Sequence, residues 1–361
     1  MLRYFIFFIF CGLKLLSQDP DTLLPTILRI ENDTEKVNQL YKHGRDLVDK
    51  DPQLAYAFAK NCERAAQKSK SQKHIAKSIN LLGTLFCNHG HFKRGVVYFE
   101  DYLSASIALK DTLGMAFGYM NLGNAYMALE QFEKVEYFYL KAIYFYNALN
   151  AKKELANGLS NLGVLKQNQK QLDAALENYQ KALQTGKELN NYEIKAVCLN
   201  NMAQIFFDKG NYEKALAYNY DALELREMMG LEVDVADSYF SIAEVALKQK
   251  NTILATENLD LAFQLCNKIG YTQGKINYFK LFSELQSQKN NFQSSVENLK
   301  TYMRLNDSIL STEGSEPKND FNETEEPIYT SAPAPIKNLW LLILLSLFLI
   351  IIPFVLIRYK R

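Results

Sequence analysis

The chain repeats itself every forty residues. The strings LLGTLF, NLGNAY, NLGVLK, NMAQIF and SIAEVA place Gly83, Gly123, Gly163, Ala203 and Ala243 at intervals of forty, and the same step reaches Ser283 and, in the other direction, His43. Self-similarity at that period marks a stack of supersecondary units, none of which buries its apolar face alone. With units starting at residues 36, 76, 116, 156, 196, 236 and 276, the first column reads Ala76, Ala116, Ala156, Ala196, Ala236, Ile276. The fourth reads Ile79, Tyr119, Leu159, Leu199, Tyr239, Phe279, and the seventh Leu82, Leu122, Leu162, Met202, Ile242, Phe282. Offsets of three put these columns on one face of a helix. No proline falls between Pro52 and Pro317, which fits long helices throughout.

The second half of each unit carries small residues, Ala55, Gly95, Val135, Ala175, Ala215, Ala255 and Ser295, followed seven positions on by Cys62, Tyr102, Ala142, Ala182, Ala222, Ala262 and Tyr302. Small side chains in these columns and at Gly83, Gly123 and Gly163 let two helices approach closely. Phe92, Phe132, Leu172, Tyr212 and Phe292 close the turn between them, so each unit reads as a helical hairpin.

This pattern resembles the tetratricopeptide repeat. Asn121-Leu122-Gly123 with Tyr126, Val135, Tyr139 and Ala142 carry its signature, as do Leu162-Gly163, Ala175, Tyr179 and Ala182. The resemblance covers residues 36–310 and implies an all-α, right-handed superhelical solenoid of about seven hairpins. Here the period is forty rather than thirty-four and the proline that often ends the second helix is missing, so the second helices are expected to be longer by about a turn and a half. The unit from residue 36 has Lys42-His43 in place of Leu-Gly, as a capping repeat would.

The ends differ from the middle. Arg3, the apolar run Tyr4 to Leu13 and Leu15-Leu16-Ser17 have the order of a secretory signal, with cleavage expected after Ser17, so residues 1–17 read as a signal peptide and 18–35 as a lead-in. Residues 311–338 hold four prolines and six acidic residues and read as a flexible stalk. Residues 339–357 are nineteen without a charge, the length of one C-terminal transmembrane helix, and Arg358, Lys360 and Arg361 in the basic tail 358–361 place that end in the cytoplasm. The repeats are then expected outside the membrane, in the periplasm.

Forty-one Lys and Arg against forty Asp and Glu leave no basic field for nucleic acid. Cys62, Cys87, Cys198 and Cys266 are far apart and read as isolated core or groove residues rather than disulfide partners. His89-Gly90-His91 falls in a turn and reads as exposed turn polars. No Gly-rich phosphate loop, H-E-x-x-H or G-x-S-x-G is present. Neither a catalytic site nor a metal or other cofactor is expected, and the chain is not read as an enzyme.

The face of the first helices is the candidate site. Position six there is Asn121, Asn161 and Asn201, with Asn80, Asn88, Asn124, Asn168 and Asn200 nearby. A primary amide offers donors and an acceptor to the N–H and C=O of an extended peptide, and peptide-binding tetratricopeptide domains use such asparagines. The alternative is that these amides tie neighbouring helices together or face water. The expected function is a membrane-anchored scaffold for a protein or extended peptide. The layout also resembles the input half of bacterial sensor kinases and regulators with tetratricopeptide repeats, without their output domain, which leaves open a split sensor acting through a partner.

Overall fold

A computed structural model describes residues 20–48 and 50–313. The expected signal, membrane span and basic tail lie outside the described residues, as does the stalk beyond Glu313. Among the described residues no helix is long and apolar enough to cross a membrane, and there is no strand.

Fifteen helices follow one another: α1 (Pro20–Leu28), α2 (Asp33–Leu47), α3 (Pro52–Ser69), α4 (Gln72–Asn88), α5 (Phe92–Ala108), α6 (Thr112–Ala128), α7 (Phe132–Ala148), α8 (Lys152–Asn168), α9 (Leu172–Glu188), α10 (Tyr192–Asp208), α11 (Tyr212–Met229), α12 (Glu232–Lys248), α13 (Thr252–Ile269), α14 (Thr272–Gln288) and α15 (Phe292–Glu313). After the lead-in helix α1 they pair into seven antiparallel hairpins, α2/α3 to α14/α15, forming a repeated all-α solenoid. The last helix runs to Glu313, three residues into the stretch expected to be stalk.

The extra length of the repeat is not confined to the second helices, as the sequence suggested. First and second helices are equal in the central hairpins, 17 residues in both α6 and α7 and in both α8 and α9, and α10 and α11 differ by a single residue. The reason lies in the turns. A residue with positive φ stands every twenty positions, at Lys70, Gly90, Lys110, Glu130, Asn150, Lys170, Asn190, Gly210, Gly230, Lys250, Gly270 and Asn290. From Gly90 onward the N–H that follows it reaches back to a carbonyl five residues earlier, as in Gln131 to Tyr126 (2.9 Å) and Gln171 to Lys166 (2.8 Å), the Schellman closure of a helix. The same following residue caps the next helix where its side chain permits: Asp111, Asn191, Asn211 and Asn251 each accept from the backbone N–H three residues on. One short connector therefore ends one helix and starts another, and the forty-residue unit is two equal halves.

The columns of small residues lie in the core. Val135, Ala175, Ala215 and Ala255, and seven residues later Ala142, Ala182, Ala222 and Ala262, are fully buried. A Cβ on Gly123 would stand 2.5 Å from the Tyr139 ring, so the hairpin α6/α7 closes only because residue 123 has no side chain. The same pairing recurs at Gly83 with Phe99. Further along, the first partner becomes Ala203, Ala243 and Ser283, and the second shrinks to Asn219, Leu259 and Leu299. As the first partner gains a side chain, the second loses its ring.

Successive first helices touch one another, as in α2 with α4, α4 with α6, α8 with α10 and α12 with α14. They meet with an offset of one column: residue i reaches i+41 in Asn80 with Asn121 and Gln167 with Asp208 through side chains, and Gln288 Nε2 donates to the Leu247 carbonyl. The first helices thus line one continuous face.

Candidate functional site

That face carries the asparagines singled out from the sequence, and the structure treats them unequally. Asn121 Nδ2 donates to Asn80 Oδ1 at 2.9 Å, joining α6 to α4. Asn161 Nδ2 donates to Asn124 Oδ1 at 3.1 Å, joining α8 to α6, and Asn124 Oδ1 also accepts from the Tyr139 hydroxyl at 2.9 Å. Asn168 lies exposed at the end of α8 with Nδ2 3.8 Å from Met127 Sδ. Asn88 is exposed at the end of α4. Asn200 and Asn201 are neighbours with different surroundings: Asn200 Oδ1 accepts from Arg226 Nη1 at 3.3 Å, whereas Asn201 is half-buried and makes no side-chain hydrogen bond.

The amides of Asn121 and Asn161 therefore do hold neighbouring repeats together. They are not exhausted by it. An amide has two N–H donors and an oxygen with two lone pairs, and Asn121 Oδ1 accepts nothing, so the face still presents donors and acceptors at the spacing of the repeat.

One cluster was not foreseen. Arg226 on α11 is 8% exposed, and its Nη1 reaches Ser238 Oγ at 2.6 Å and the Asp234 carbonyl at 3.3 Å as well as Asn200. Burial pulls its pKa down, opposed by Asp234 and Asp237. The Asp237 carboxylate accepts from the Tyr271 hydroxyl at 3.2 Å; burial raises this acid, while Tyr271 and Arg226 act to lower it. The guanidinium thereby ties α10, α11 and α12 together. A signal was available, since Arg226 is the one charged residue in a second-helix column that otherwise reads Ala66, Ser106, Tyr146, Gly186, Cys266 and Asn306. Beside the cluster, α10, α11 and α12 border a small depression open to solvent, whose lining includes Asn200, Gln204, Phe207, Asn219, Ser241 and Glu244.

The four described cysteines are unpaired. Burial pushes the Cys62 and Cys198 thiols up to about 12 and those of Cys87 and Cys266 up to about 11, so they offer no thiolate at neutral pH. His89 Nε2 lies 2.8 Å from the Val48 carbonyl, pinning the α4/α5 turn to the end of α2, and the His91 ring meets Phe86 edge-on. Among the described residues no group of three His, Cys, Asp or Glu side chains is placed to hold a metal.

The tetratricopeptide-repeat family model matches residues 154–228, which span α8 to α11. With seven hairpins of this kind in a row, the chain is a tetratricopeptide-repeat protein. Solved structures share the architecture at low identity. The apo form of RapI superposes with a TM-score of 0.61 at 12% identity, covering 76% of this chain and 99% of that one. The quorum sensor NprR from B. thuringiensis, in its apo form, gives 0.55 at 16% identity, with 79% and 91% covered. NprR in complex with its cognate peptide NprX gives 0.55 at 17% identity, with 82% and 87% covered. These likenesses establish the fold. No curated protein matches the chain.

Proposed function

We propose that the face formed by the first helices binds an extended segment of another protein, and that the repeats are a membrane-anchored scaffold outside the cytoplasm with no catalytic step of their own. The observation that carries the binding reading is the row of amides on that face: Asn80 with Asn121 and Asn124 with Asn161 are held in fixed orientation by their mutual hydrogen bonds, and Asn201 continues the row with its amide unspent. Fixed amides suit recognition through a peptide backbone, because they bind without losing side-chain freedom. NprR, which shares the fold, has been solved with a peptide, and that supports a polypeptide ligand here. The uncharged run 339–357 followed by Arg358, Lys360 and Arg361 supports the anchor and its orientation.

Capture of partners by the full chain in detergent, compared with a variant carrying Asn121→Ala, Asn161→Ala and Asn201→Ala, tests the binding face. A partner lost from the variant while helical circular dichroism is retained supports the reading, and equal capture by both proteins overturns it. For topology, protease added to intact spheroplasts of an expressing bacterium should remove the repeats and leave a small anchored fragment. Protected repeats would reverse the orientation.

A further inference from the structure

The aromatic column of the second helices breaks once on a polar residue. Phe99, Tyr139 and Tyr179 give way to Asn219, after which the column continues as Leu259 and Leu299. Ala203 on α10 stands opposite where earlier hairpins have glycine, and its methyl takes up only part of the volume of the missing ring. The remainder is the depression between α10, α11 and α12.

Asn219 is 4% exposed, and its amide makes no hydrogen bond. Four other asparagines of the second helices satisfy themselves: Asn61, Asn178, Asn258 and Asn298 each donate to the carbonyl four residues earlier at 2.7–2.9 Å. Asn219 instead keeps its amide for the depression.

The other groups lining the depression keep acceptors free, although Asn200, whose Oδ1 accepts from Arg226, keeps its N–H donors instead. The Ser241 hydroxyl donates to the Asp237 carbonyl at 3.0 Å, which leaves its lone pairs. Gln204 Nε2 donates to Asp208 Oδ1 at 2.9 Å, which leaves its carbonyl. Glu244 on α12 is half-buried and has neither an ion pair nor a hydrogen bond. Lys248, four residues on along α12, pairs with Glu284 instead, and Asp208 accepts from Gln204 and Gln167. The nearby cation Arg226 directs its Nη1 to Asn200, Ser238 and the Asp234 carbonyl. What remains is one carboxylate without an ion pair, beside the free oxygens of Ser241, Gln204 and Asn219.

We infer that this recess is a subsite for a basic side chain, a lysine ammonium or an arginine guanidinium, of a polypeptide lying on the first-helix face. Glu244 supplies the counter-charge, and the oxygens of Asn219, Ser241 and Gln204 accept its N–H groups. The inference rests on the peptide-binding reading and adds which residue of the peptide is selected, and where.

The test offers the full chain pools of random nonapeptides in which one position is fixed as Lys, Arg, Leu or Glu. At one position the basic pools should bind about tenfold or more tightly than the Glu pool, the discrimination a charge-assisted contact supplies. Glu244→Gln should abolish that preference. The double change Ala203→Gly with Asn219→Tyr rebuilds the pairing of Gly163 with Tyr179 and fills the recess, so it should also abolish the preference while the helical signal and melting temperature are kept. Should the double variant not fold, Glu244→Gln decides alone. Pools that bind with no preference for a base, or a preference that survives Glu244→Gln, overturn the inference and leave the binding face standing. No binding by any pool removes both.

Discussion

The ring of Tyr179 closes over the backbone of Gly163 so tightly that a Cβ at 163 would stand 2.6 Å from Cε1 and 2.8 Å from Cδ1. Tyr179 is fully buried, and its hydroxyl donates to Gln167 Oε1 at 3.2 Å on the same facing helix. The separation of α8 and α9 is thus set by a hydrogen atom on one side and a ring on the other.

Gly163→Ala should therefore destabilise the protein by about 1–3 kcal/mol, the range for overpacking a closed core, although alanine favours a helix more than glycine does. Hydrogen exchange checks where the damage falls. Protection should drop first in α8, α9 and the helices beside them, because each repeat is held mainly by its neighbours. A uniform loss from α4 to α15 would contradict that coupling.

The turns hold back stability that substitution can release. Lys170 and Glu130 are exposed and sit at φ 62° and 56°, a conformation that costs a side chain but not glycine. Neither makes an ion pair, so Lys170→Gly and Glu130→Gly should each raise the unfolding free energy by about 0.5–1 kcal/mol in urea titrations, after allowing for the greater freedom of unfolded glycine. A fall in stability would mean that these turns are not under strain.

The asparagines of the first-helix face should separate into two kinds. Asn121→Ala and Asn161→Ala each remove an inter-repeat hydrogen bond and should cost about 0.5–1.5 kcal/mol of stability. Asn201→Ala removes none and should leave the urea midpoint within experimental error. It is consequently the clean probe of ligand binding, since any loss of affinity there cannot be attributed to a loosened fold. A destabilised Asn201→Ala would show that this residue, too, is structural.

Stability should also depend on pH above the carboxylate range. Burial against the Phe58 ring, reinforced by Lys42, holds the pKa of His43 below 6.5, and burial with Lys77 and Lys73 does the same for His74. For a base with a lowered folded pKa, the unfolded chain binds the proton first. The stability is therefore full above pH 6.5 and is lost as the pH falls through 6.5 towards the folded value. The double variant His43→Gln, His74→Gln should flatten the urea midpoint between about pH 7 and 5.5. An unchanged slope would place the titrating groups elsewhere.

Much of this fold could be read in the residues. The period of forty, the apolar columns from Ala76 and Leu82 onward, and the small residues from Ala55 onward specify seven hairpins because an amphipathic helix records its buried face at spacings of three and four. Even the exchange of Gly163 and Tyr179 for Ala203 and Asn219 is written in two columns, since packing volume is a local property of facing positions. The division into equal halves was harder to see. Eight of the twelve left-handed turn residues are Lys, Glu or Asn, so glycine marks the step of twenty only at Gly90, Gly210, Gly230 and Gly270. What the sequence could not decide was the fate of the polar columns. Asn121 and Asn201 occupy the same place in their repeats, yet one is bonded to Asn80, forty-one residues away on another helix, and the other is unspent. The same holds for Arg226, Asn219 and Glu244: only the stacking of α10, α11 and α12 determines which of these polar groups is satisfied within the protein and which is left facing a recess.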